Sequence, residues 1–112
     1  MINYHNKVFR SVNNTDNGEV SAETTFHYQQ YDTIVTASYS GGSIVTGHLI
    51  ALVDEVGHLN MRYHHVNNVG VLMTGICQSI PEVMENGKIR LHEKWQWTSG
   101  DYSSGESVIE EI

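Results

Sequence analysis

The chain has 112 residues, with 13 acidic against 6 basic side chains and a formal charge of −7. That is enough for one domain with one core, and too poor in clustered Lys and Arg for a nucleic-acid partner. The single cysteine, Cys77, excludes an intrachain disulfide, no apolar run approaches the ~20 residues of a membrane span, and MINYHNKVFRS lacks the apolar stretch of a secretory signal. We therefore expect a cytoplasmic protein of a reducing compartment with no membrane partner.

Turn signals punctuate the chain at Asn17-Gly18, Tyr31-Asp32, Gly41-Gly42, Asp54 to Gly57, Asn67 to Gly70, Asn86-Gly87 and Ser99-Gly100. Asn-Gly and Gly-Gly supply the positive φ that tight hairpins demand. Between them lie segments rich in Val, Ile, Thr, Tyr and Phe. They give eight expected strands over 7–13, 19–30, 33–40, 43–53, 58–66, 71–80, 88–98 and 103–111. In segment 79–87, Ser79 and Glu82 stand at capping-box spacing with Gly87 as a stop, which allows at most one helical turn. Pro81 equally suits the end of a strand.

Short consecutive hairpins favour a meander. Strands of ~10 residues in this number can close into an all-β, antiparallel, up-and-down barrel, which removes exposed edges. A sandwich is the alternative. Gly47 and Gly75 fall inside strands, where barrel closure uses kinks and bulges. No Pro/Ser linker divides residues 1–112, so a single domain is expected.

Read with period two, one face of each strand is the more apolar. It comprises Val20, Ala22, Phe26 and Tyr28; Val35, Ala37 and Tyr39; Val45, Gly47, Leu49, Ala51 and Val53; Leu59, Met61, Tyr63 and His65; and Ile89, Leu91, Glu93, Trp95 and Trp97. Glu19, Glu23, His27, Asn60, Arg62, His64, Arg90, His92 and Lys94 fall on the opposite faces. The strand beginning at Val71 is apolar on both faces, Met73 and Cys77 on one and Leu72, Ile76 and Ile80 on the other. That suggests a homodimer contact. The core set is unusual. Buried Tyr and Trp need partners for their O–H and N–H, and a buried carboxylate costs several kcal/mol unless paired or protonated. A cavity whose polar tips face a ligand or water accounts for both.

The stretches MRYHHVN (61–67), LMTGIC (72–77) and RLHEKWQWTSGDYSSGESVIEE (90–111), with NGEV (17–20), YSGG (39–42) and GHLI (47–50), resemble a family of short bacterial proteins. Members often carry the label n-acetylglutamate synthase. Acetyl transfer in the usual acetyltransferase fold needs a mixed α/β domain and a Gly-rich pyrophosphate loop at a helix N-terminus, and this sequence has neither. The resemblance implies a small calycin- or lipocalin-like barrel and brings no catalytic residues with it.

Glu93 and His65 form the sharpest candidate pair. A desolvated Glu has a raised pKa and can act as acid or base near neutrality, with His65 sharing the proton; a buried pair that only fixes the register is the alternative. Trp95, Trp97, Tyr63, Tyr39, Phe26 and Met61 would line a pocket, and Tyr102, in the loop SGDYSSGES, could cap its mouth. His64 and His92 could pair on the outer surface, but no HxxxH or CxxC spacing fixes a metal site, and nothing calls for a cofactor. Arg62, His64, Arg90, His92 and Lys94 would make an outward basic strip answered by Glu19 and Glu23. The sequence thus points to a barrel binding a small apolar or aromatic molecule. The alternatives are a small enzyme (isomerase, cyclase or hydrolase) working through Glu93 and His65, and a non-catalytic oligomeric module.

Overall fold

The structure is a computed structural model and describes residues 2–112. Its strands are β1 (Val8–Asn14), β2 (Thr25–Tyr31), β3 (Ile34–Gly41), β4 (Ile44–Val53), β5 (Leu59–Asn67), β6 (Leu72–Val83), β7 (Ile89–Trp97) and β8 (Ser104–Glu111). They pair antiparallel in chain order, and β8 closes on β1. The all-β up-and-down barrel is thus the observed fold.

A meander sends its connections alternately to two ends. The β2–β3, β4–β5 and β6–β7 turns share one end with the N-terminal segment. That end is plugged: Tyr4 is fully buried, and its hydroxyl donates to the Gly57 carbonyl in the β4–β5 turn at 2.5 Å. Next to Tyr4 the lumen is filled by Phe9, Tyr28, Val35, Leu59, Leu91 and Ile109, none more than 2% exposed. Each such side chain contributes roughly 1.5–3 kcal/mol through its burial.

Inward and outward residues alternate along the strands as the period-two pattern requires, most regularly along β7. Three departures have local causes. Val45 points outward and Ile44 inward, because a register shift between Ile44 and Thr46 changes the phase at the start of β4. The second strand begins at Thr25, well after residue 19. Ser21 and Thr24 instead turn the chain locally, with Thr24 N–H donating to the Ser21 carbonyl and Ser21 N–H to Thr24 Oγ1. Val20 and Ala22 therefore belong to a loop, residues 15–24, which lies at the second end of the barrel.

The third departure is segment 79–87, which forms no helical turn; β6 runs on to Val83. Met84 N–H bonds to the Lys88 carbonyl, so Pro81, opposite Leu91, occupies a non-hydrogen-bonded site of the β6–β7 ladder. Its missing N–H falls on the side where β5 pairing has already ended at Ser79.

On the outside, β6 separates Arg62 and His64 of β5 from Arg90, His92 and Lys94 of β7, so the expected single strip is two. His64 faces His48, with ring centroids 6.0 Å apart. His92 meets Glu82 at 2.8 Å and Arg90 meets Glu110 at 2.7 Å; Glu82 and Glu110 answer the bases in place of Glu19 and Glu23. Leu72, Ile76 and Ile80 of β6 are exposed, while its Cys77 and Ser79 are buried in the lumen.

Candidate functional site

The polar lumen residues gather toward the second end, above the apolar plug. Glu93 sits on β7 between two serines that are its direct cross-strand partners, Ser79 on β6 and Ser107 on β8. Each serine hydroxyl donates to one carboxylate oxygen, at 2.9 and 3.0 Å. Burial pushes the Glu93 carboxyl up to about 6, against the downward pull of the two serine bonds. The group answering the buried carboxylate is therefore its own ladder neighbours. His65 bonds elsewhere, and the expected Glu93–His65 pair is not a hydrogen-bonded one.

His65, 2% exposed, belongs to a separate chain of bonds. Its Nε2 lies 2.7 Å from Glu19 Oε1 and its Nδ1 lies 2.9 Å from the Tyr39 hydroxyl. Glu19 Oε2 accepts from Asn67 Nδ2 at 3.0 Å. A neutral ring with its proton on Nε2 donates to Glu19 and accepts from Tyr39. A ring carrying both protons is also satisfied, because the Tyr39 hydroxyl can turn to the His64 carbonyl at 3.3 Å.

Around these groups runs a belt of rings. Phe26 stacks on Tyr39 at 5.0 Å, Tyr39 meets His65 edge-on at 5.6 Å, His65 meets Trp97 at 5.7 Å, and Trp97 meets Trp95 at 5.5 Å. Tyr63 closes on Trp97 at 5.9 Å. Burial pushes the Tyr39, Tyr63 and Tyr28 phenols and the Cys77 thiol well up. They stay neutral, and Cys77 is no ready nucleophile.

Five of these rings have one of three glycines as a cross-strand partner: Tyr39 and His65 flank Gly47, Tyr63 and Trp97 flank Gly75, and Trp95 faces Gly105. A Cβ at any of the three would overlap the ring beside it. Glycine here is a matter of close approach, and the rings lie flat along the barrel wall. This is the physical use of Gly47 and Gly75, beyond any kink in the strand.

Between the rings remains a cavity of about 50 Å³, lined by Phe26, Tyr39, Met61, Tyr63, His65, Glu93, Trp95 and Trp97 among others. Every residue proposed from sequence to line the pocket, with Glu93 and His65, is thus brought to one place. Four contributors were not foreseen. Glu19 reaches in from the 15–24 loop, although strand parity placed it outside. Asn14 lines the wall at the end of β1. Ser79 and Ser107 become legible only once the register puts them opposite Glu93. Tyr102, expected as a cap, is 63% exposed and lies away from the cavity. The cover is Gly18, Glu19 and Val20, tied down by Asn14 Nδ2 to the Val20 carbonyl at 2.7 Å and Trp97 Nε1 to the Asn17 carbonyl at 3.0 Å.

A closed eight-stranded meander plugged at one end, with an aromatic cavity at the other, defines the class of small calycin-like barrels able to hold one small ligand. Within that class, a family model described as avidin-like protein matches residues 2–112, and the chain belongs to the avidin-like family. No curated protein and no solved structure matches it. The match supports a ligand-binding barrel and lends nothing to the n-acetylglutamate synthase label.

Proposed function

We propose that the protein binds a small, largely apolar or aromatic molecule between Trp95, Trp97, Tyr63, Tyr39 and Phe26. The observation that carries this reading is that Tyr39, Tyr63 and Trp95 each lie over a cross-strand glycine. A lumen selected only for stability would be filled, as it is around Leu91 and Ile109. Here glycine draws the rings back and keeps space open. Family membership favours the same reading. Binding is favoured over acid–base catalysis because both Glu93 oxygens already accept a serine hydrogen bond, which suits orienting a ligand better than exchanging protons.

Trp95 and Trp97 provide the readout. Titrating a metabolite panel, biotin included, should change their fluorescence for some compound. Gly75→Ala, which drives the Tyr63 ring toward the lumen, should abolish that response while leaving cooperative unfolding. A panel without any response, or a Gly75→Ala protein that binds as well as the parent, would remove the basis of the proposal. Assembly into a homodimer is proposed through the exposed Leu72, Ile76 and Ile80 of β6. Light scattering that shows a monomer at high concentration rules this out.

A further inference from the structure

The cavity is rich in acceptors, and among the described residues no lysine or arginine lines it. Its wall holds two carboxylates, Glu19 and Glu93. Glu19 already has His65 and Asn67 as partners. Glu93 has only two neutral hydroxyls, and a carboxylate held away from water is poorly compensated without an opposite charge.

A second and independent feature points the same way. The Oδ1 of Asn14, a residue of the cavity wall, is buried and has no hydrogen-bond partner among the described residues. Buried polar atoms without partners are rare enough to need a reason. An amide oxygen can only accept, so this atom waits for a donor. Around these oxygens stand aromatic faces, whose quadrupoles attract positive charge. An anionic occupant would face two carboxylates, and a donor-poor apolar one would leave the oxygens unanswered.

We propose that the cavity takes the head of a compact organic cation with several N–H donors, of the ammonium, amidinium or guanidinium class. Glu93 and the unpartnered Asn14 Oδ1 accept its hydrogen bonds, and the ring belt surrounds its charge. This rests on the ligand-binding reading above and narrows it. The size agrees. About 50 Å³, at the ~10–15 Å³ that one water requires, has room for a head group of roughly four heavy atoms, and the apolar remainder would emerge under the 15–24 loop.

Benzamidine and benzamide test it, being nearly isosteric and differing in charge. Titrated by tryptophan fluorescence and by NMR, benzamidine should bind at least about tenfold tighter than benzamide. Glu93→Gln should shrink that preference to within about twofold. Lowering the pH through 6 on the unaltered protein protonates Glu93 with no substitution, and so guards against a Glu93→Gln protein that fails to fold. It should weaken benzamidine several-fold and leave benzamide unchanged. Equal or tighter binding of benzamide overturns the inference and leaves the ligand-binding reading standing. So does a benzamidine preference that survives both Glu93→Gln and the fall in pH. If neither probe nor any panel compound binds, the ligand-binding reading fails and the inference falls with it.

Discussion

The two halves of the lumen use the same strands and the same alternation, yet one is filled and the other hollow. In the plugged half, Tyr28 pairs with Ala37 across the ladder and packs at 4.8 Å on Phe9 and 6.0 Å on Tyr4. In the hollow half, Tyr39, Tyr63 and Trp95 pair with glycines and lie against the wall. Both halves hold aromatic rings, Tyr4, Phe9 and Tyr28 in one and Phe26, Tyr39, Tyr63, Trp95 and Trp97 in the other. What differs is the cross-strand partner. Tyr39, Tyr63 and Trp95 have a side chain as partner on one flank (Phe26, Leu49 and Cys77) and a glycine on the other, and each ring lies over its glycine; Ala37 offers Tyr28 no such gap. Capacity for a ligand is thus written in pairs of residues on neighbouring strands, more than in the identity of the rings.

The sharpest way to break this comparison is one substitution made in both halves. Leu91 is fully buried beside Pro81 and Ile109 in the plugged half, whereas Leu49, 5% exposed, borders the cavity. Truncating a buried Leu removes transfer energy and leaves a void, with costs of roughly 2.7–5 kcal/mol that rise with residual cavity volume. Leu91→Ala should fall in the upper part of that range, on the order of 4 kcal/mol. Leu49→Ala, losing contacts on a side already open, should cost about 2–3 kcal/mol. Urea unfolding of both variants measures the gap; equal losses would mean that the hollow half is packed as tightly as the plug.

Glu93 sets the next effect, and here the hollow half is a net burden. Its carboxyl titrates near 6 when folded, against an ordinary 4.5. Between those values the folded protein holds a proton that the unfolded chain has released. Its contribution to stability is therefore greatest below 4.5, falls as pH rises through 6, and is lost at neutrality. The shift corresponds to about 2 kcal/mol. Glu93→Gln keeps the shape and can still bond both serines, so it should stabilise the protein at pH 7 by about 1–2 kcal/mol. It should also flatten the slope of unfolding free energy between pH 4.5 and 6. A Glu93→Gln protein less stable than the parent at neutral pH would show that the charge is compensated by something other than Ser79 and Ser107.

That contrast also explains which parts of the molecule the sequence discloses. Turn residues and alternation set the strands, so the barrel, its order and the inward set of β7 were legible, with Glu93 already standing among Leu91, Trp95 and Trp97. The partners of Glu93 were not, because Ser79 and Ser107 are small residues of ordinary type whose role depends on register. The same holds for the wall glycines: Gly47 and Gly75 announce an irregularity, but only pairing shows which ring each admits. Parity failed where local chemistry displaced the ladder, at the bulge that turns Val45 outward and in the Ser21–Thr24 turn that frees Glu19 to enter the cavity. A carboxylate in a loop has no period to betray its direction.

Glu19 yields the smallest global effect. Its side chain is 25% exposed, and it ties the 15–24 loop to His65 and Asn67. The loop otherwise rests on Asn14 to Val20, Trp97 to Asn17, Asn17 to Ser103 and Ser104, Thr24 to Gly41, and a two-way tie between Thr15 and Glu106. Removing a partly solvated tie of this kind should lower unfolding free energy by no more than about 1 kcal/mol, because the strands keep their pairing. Its local consequence should be larger than its global one, since loops held by few bonds open without unfolding the whole. In Glu19→Gln, amide exchange at Gly18 and Thr24, both bonded within the loop, should accelerate several-fold. Amides at the plugged end, such as Val53 and Tyr28, bonded to Thr33 and Lys7, should exchange as before. Exchange that quickens equally at both ends would mean that the loop and the plug open as one unit. A ligand larger than the present cavity would then have to wait for the whole barrel to open, where an independent loop admits it at the cost of a few hydrogen bonds.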